Sequence, residues 1–133
     1  MDSEIKFGSY MSAKRKERGL TLKDIAKKLD VSIVYLSDIE NNRKAAPRKE
    51  HLDIIADCLE LNGNERNTFY DLAANSIPGR KAISPDLPEY IMDNEVVRTA
   101  LRTAKQYHIE DDEWQEFIDK ITARSKKSDT GGK

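Results

Sequence analysis

The chain has 133 residues and a nearly balanced charge, 23 Lys and Arg against 24 Asp and Glu for a net of −1. That length suits one domain, or a small domain with an appendage. No apolar run approaches the ~18 residues of a membrane span, and the start, MDSEIKF, lacks the basic-then-apolar pattern of a secretion leader. A single cysteine, Cys58, excludes an intrachain disulfide framework and suits a reducing cytoplasm.

Helical periodicity dominates and no alternating strand pattern appears, so the expected fold is all-α. A first helix is expected from about Ile5 to Arg18, capped by Ser3, with Phe7 and Met11 on one face and Gly19 as its stop. Thr21 caps a second helix, with Asp24 three residues on in a capping-box arrangement and Ile25, Ala26 and Leu29 as the buried stripe. Asp30-Val31 makes a turn, and Ser32 caps a third helix with Tyr35, Leu36 and Ile39 facing inward. A polar loop runs from Asn41 to Pro47. A fourth helix follows over about Lys49–Leu61, with Leu52, Ile55, Ala56, Cys58 and Leu59 at helical spacing and the thiol read as a buried small hydrophobe. A fifth helix, about Glu65–Asn75, carries Phe69, Leu72 and Ala73.

The segment Ser76–Pro88 holds three of the four prolines and reads as a connector. Two more helical patterns follow. One covers about Glu95–Tyr107 with Val97, Ala100, Leu101 and Ala104; the other covers about Asp111–Ala123 with Trp114, Phe117, Ile118 and Ile121. The expected organisation is a five-helix domain over 1–76, a connector over 77–88, a helical extension over 89–124, and a disordered tail over 125–133.

Charge is distributed unevenly. Residues 1–49 hold 12 Lys and Arg against 7 Asp and Glu, a local charge of +5 that leaves −6 for the remainder. The basic part surrounds Thr21–Asn42, two short helices joined by a tight turn. That is the layout of a helix-turn-helix, whose second helix enters the DNA major groove. On this third helix of the chain, Ile33, Val34, Ser37 and Asp38 face away from the core stripe. Ile33 and Val34 suit thymine methyls, Ser37 can donate or accept, and Asp38 can accept from cytosine N4. Phosphate contacts are expected from Thr21 and Lys23 at the second helix N-terminus and from Asn41, Arg43 and Lys44 after the third helix, with Arg48 and Lys49 extending the track, and Ser32 is counted among the DNA-binding residues. Loss of Arg43 and Lys44 is expected to weaken binding to all DNA alike.

The run GLTLKDIAKKLDVSIVYLSDIENN, followed by Pro47, Leu52, Ile55-Ala56 and Leu59, resembles the Xre/Cro family of phage and bacterial repressors over about residues 5–75. The resemblance implies a homodimer that represses transcription from a palindromic operator. It also implies an ion pair between Arg15 and Glu40 that braces the first helix against the third. Where the family often has a phosphate-contacting glutamine this chain has Leu22, with Lys23 as its substitute. Where the family has turn glycines it has Asp30 and Asn42, the non-glycine types that best tolerate a left-handed backbone.

Enzyme readings lack their parts. His51 and His108 have no metal spacing and read as surface residues; Asp111-Asp112-Glu113 suits a helix N-terminus; no phosphate-cradling glycine loop occurs. No cofactor, metal or membrane is expected. The partners expected are double-stranded operator DNA, a second copy paired through the fifth helix or through Asp86–Ala123, and a regulatory protein, the extension serving oligomerisation or regulator docking. The alternative function is an antitoxin or protein-interaction adaptor for which DNA is secondary, and the apolar pair Ile33-Val34 is the feature that supports it.

Overall fold

The way each helix starts and stops sets the layout of this chain. The computed structural model describes residues 5–79 and 81–131, and among them are eight α-helices and no strand. They are α1 (Phe7–Glu17), α2 (Leu22–Leu29), α3 (Ile33–Glu40), α4 (Lys49–Cys58), α5 (Gly63–Asn75), α6 (Pro88–Asp93), α7 (Glu95–Gln106) and α8 (Asp111–Gly131). The chain divides into two compact units, one ending at Tyr90 and the other beginning at Ile91.

Three helices of the first unit open on side-chain caps. Thr21 and Asn62 each form a reciprocal capping box, with Asp24 and Glu65, and Ser32 accepts from the Tyr35 N–H. These caps satisfy N–H groups that a helix start leaves without intrahelical partners. α1 starts on Lys6, which makes no side-chain cap bond; Ser3, the expected cap, lies outside the described residues, as do 132–133. α5 begins at Gly63, earlier than the spacing of its apolar residues suggests, because Asn62 supplies the cap.

Five helices stop in one common way. A residue in the left-handed region follows the helix, and the next N–H bonds back five residues to a helix carbonyl, the Schellman closure. The left-handed residues are Gly19 (φ 69°), Asp30 (58°), Asn42 (62°), Glu60 (52°) and His108 (55°). The returning bonds run from Leu20 to Arg15 (3.1 Å), Val31 to Ala26 (3.1 Å), Arg43 to Asp38 (2.8 Å), Leu61 to Ala56 (3.2 Å) and Ile109 to Ala104 (3.0 Å). Only one of the five closures uses glycine. Leu20, Val31 and Leu61 pack back onto the core, so the turns also supply apolar area.

The core of the first unit joins Phe7 and Met11 of α1, Ile25 and Leu29 of α2, Leu36 and Ile39 of α3, Leu52 and Ile55 of α4, and Phe69 of α5. α1 packs on α3 and α5, α2 on α3 and α4, and α4 on α5. Cys58 is only half-buried, and that burial pushes its thiol above the usual range. One contact is backbone to backbone. A Cβ added to Gly8 would lie 2.2 Å from the Ile39 carbonyl and 2.7 Å from that of Glu40, so only glycine lets α1 come this close to the end of α3. The proline-rich stretch belongs to this unit: the Ala46 N–H donates to Ser76 Oγ at 2.9 Å, and Ser84 is buried.

In the second unit no residue of α7 is buried. Val96, Leu101, Phe117, Ile118 and Ile121 are exposed, and Trp114 meets Phe117 edge to face at 6.4 Å. α8 continues to Gly131, where the sequence predicts a disordered tail from residue 125; nothing between Asp111 and Gly131 is proline or glycine, so no residue type stops the helix sooner.

The left-handed positions can be tested directly. Glu60→Gly and Asp30→Gly each relieve the crowding of a Cβ in that region and should raise stability by about 0.5–1 kcal/mol in urea unfolding. Asn42→Gly should lower it, because the Asn42 side chain is itself bonded to α1.

Candidate nucleic-acid interface

α3 is held from behind by a bidentate ion pair. Arg15 Nε donates to Glu40 Oε2 at 2.7 Å and Nη2 to Oε1 at 2.9 Å, while Nη1 donates to the Leu20 carbonyl at 2.8 Å. The Arg15 and Glu40 side chains are only 13% and 6% exposed. The guanidinium is therefore directed into the fold, tying α1 to both the α1–α2 turn and the end of α3. It is not available to a phosphate. Asn42 adds a second tie: its Oδ1 accepts from the Gly8 N–H at 2.9 Å and its Nδ2 donates to Ser9 Oγ at 3.2 Å. Neither the Gly8 contact nor this amide clamp is visible in the apolar pattern. A glycine between two buried residues of α1 was the available signal.

The outer face of α3 is apolar at its start and polar at its end. Ile33 and Val34 are 46% and 70% exposed, so they do not pack against a neighbouring helix. Ser32, at the cap, is exposed and accepts from the Tyr35 N–H at 3.0 Å. One turn on, Asn41 Nδ2 donates to the Ser37 carbonyl at 2.9 Å and approaches Ser37 Oγ at 3.3 Å. Asp38 lies beside Arg43, with Oδ1 3.4 Å from Nη1.

At the start of α2, the Thr21 hydroxyl accepts from the Asp24 N–H at 3.1 Å and the Thr21 N–H donates to Asp24 Oδ2 at 2.9 Å. The Thr21 backbone N–H holds the Asp24 carboxyl below the usual carboxylate range. This box places a carboxylate where an incoming phosphate would meet the helix dipole, so the exposed Lys23 matters more than the helix end itself. Lys44 is exposed on the far side of α3.

Many of the basic residues counted in the sequence serve the fold. Lys14 pairs with Glu65 at 2.9 Å. Arg18 donates to the carbonyls of Leu59 and Glu60, closing the end of α4. Lys49 pairs with Asp53 at 3.0 Å, and the same carboxylate accepts from the Tyr70 hydroxyl. Arg48 lies 3.7 Å from Glu50. Lys49 is engaged by Asp53, whereas Arg48 is 70% exposed and has, among the described residues, only this long surface pair. His51 is half-buried on α4, whereas His108 is exposed at a helix closure.

The helix-turn-helix family model matches residues 11–65, which takes in α2, α3 and the Arg15–Glu40 tie to α1. Over residues 11–65 the chain is therefore similar to that family. A solved structure of the SinR protein/SinI protein complex overlays with a TM-score of 0.44 at 22% identity, over 90% of this chain and 98% of that one. No curated protein matches the chain.

Two outcomes follow for the helix-turn-helix domain. Glu40→Ala leaves the Arg15 guanidinium without its buried partner and should cost about 3 kcal/mol in chemical unfolding. The depressed pKa values of Asp24 and Glu65 predict a loss of stability in acid. Both groups stabilise the fold while ionised, and that contribution falls away as pH drops below about 4. A double variant Asp24→Asn, Glu65→Gln should be less stable at pH 7 and show a shallower fall of melting temperature between neutral and acid pH.

Proposed function

We propose that this chain is a sequence-specific repressor of transcription that binds a palindromic operator as a homodimer. The observation that carries the reading is the exposure of Ile33 and Val34 at the start of an α3 that buries Leu36, Ile39 and Glu40 on its other side. Two apolar side chains on the outward start of a capped helix suit the C5-methyl groups of thymine in the major groove. Ser37 and Asp38 continue that face, and Thr21, Lys23, Ser32, Asn41 and Lys44 surround it as phosphate contacts.

The second unit supplies the dimer. α5 uses Phe69, Tyr70, Ala73 and Ala74 within its own core, which leaves it little apolar surface to offer. α7 and α8 instead expose their apolar stripes. A unit this short does not bury enough surface alone, and a helix stripe needs another element over it. A second copy meets that need and sets two reading helices about one DNA turn apart. The setting for such a regulator is the cytoplasm.

The test is selection from a random duplex pool with the full chain, followed by gel shifts. An enriched inverted repeat with half-sites about one turn apart supports the reading. Ile33→Ser should change the selected sequence. Lys44→Ala should weaken every duplex and lower the salt slope by about one. Phe117→Glu should leave single half-sites selected. A chain that retains no duplex at low salt and co-purifies with another protein would favour the adaptor reading over the regulator.

A further inference from the structure

The closure of α3 differs from the other four in one respect. Leu20, Val31, Leu61 and Ile109 follow the left-handed residue elsewhere; after Asn42 comes Arg43, which is exposed. The returning bond from the Arg43 N–H to the Asp38 carbonyl sets residue 43 over residue 38 by backbone geometry alone. Where an apolar contact normally completes this motif, Arg43 Nη1 lies 3.4 Å from Asp38 Oδ1. The Asp38 side chain is 28% exposed and that of Arg43 is 67% exposed. Asp38 stands four residues after Val34, on the same outward face of α3.

An acid on a face turned toward phosphates is repelled unless it meets a donor, and Arg43 is that donor in the free protein. We infer that Asp38 and Arg43 act as a coupled reading pair that makes one phosphate contact conditional on base sequence. This rests on the DNA-binding reading above. On a duplex with no donor opposite Asp38, the carboxylate keeps Arg43 and that cation is withheld from the backbone. Opposite a cytosine, the N4 amino group donates to Asp38 and Arg43 turns to a phosphate. An exposed pair of this kind is weak enough for DNA to open. Asp38 is then the specificity-determining residue, and Arg43 reports its success as affinity. The expectation that Arg43 serves all DNA alike is replaced by a sequence-dependent role.

The experiment measures full-length wild type, D38N, R43A and D38N/R43A on the selected operator and on random duplex across a salt range. D38N should tighten binding to random duplex about two- to fivefold, with a salt slope steeper by about one. Its preference for the operator should fall by about tenfold. R43A should weaken operator binding and spare random duplex, and D38N should leave the salt slope on random duplex unchanged once Arg43 is gone. Equal D38N effects with and without Arg43, or an unchanged affinity of D38N for random duplex, would overturn the coupling while leaving the DNA-binding reading intact. Wild type that binds neither duplex removes the reading beneath it.

Discussion

The first unit depends on the bond between Arg15 and Glu40. It joins three places that are distant in sequence: the end of α1, the turn into α2 through the Leu20 carbonyl, and the end of α3. Both side chains are largely removed from water, where an ion pair is stabilising only if its geometry is good and its remaining donors are bonded. Here the guanidinium bonds two carboxylate oxygens and one carbonyl. Asn42 and Gly8 act on the same junction, so α3 is fixed at its C-terminal end by polar bonds and along its inner face by Leu36 and Ile39. The outer face can then be apolar and wet without disturbing the helix beneath it.

This arrangement also shows why a local excess of basic residues need not appear as surface charge. Positive residues on α1 are largely committed inward, to Glu40, to Glu65 and to the carbonyls that end α4. Lys23 and Lys44 stand at either side of α3 instead. The local excess of charge in residues 1–49 therefore overstates what a polyanion would meet.

The helices other than α6, the caps Thr21 and Ser32, and the tolerance of Asp30 and Asn42 for a left-handed backbone were legible in the sequence. Each is a local property: a hydroxyl or amide before an apolar stripe, or a short polar residue at a turn. Glu60 was not legible as a closure, because glutamate does not favour that conformation and the packing of Leu61 selects it; His108, a type that tolerates it better, closes on the return of Ile109. Gly8 was missed because it lies inside a helix, where spacing shows which face is buried but not how near the next backbone comes. The partners of Lys14 and Arg18 were missed for a related reason. A charge pattern gives sign and position, while pairing across 51 residues, as between Lys14 and Glu65, is set by tertiary contact.

The Gly8 contact has a consequence for how such a protein can change over generations. Because α1 meets the end of α3 through main-chain atoms, the axis of α3 is set by parts that every residue type shares. Its outward side chains can be exchanged without moving that axis. The frame and the lettering are separable, so drift at Ile33, Val34 or Ser37 can move the chain to new targets while the fold that presents them stays in place.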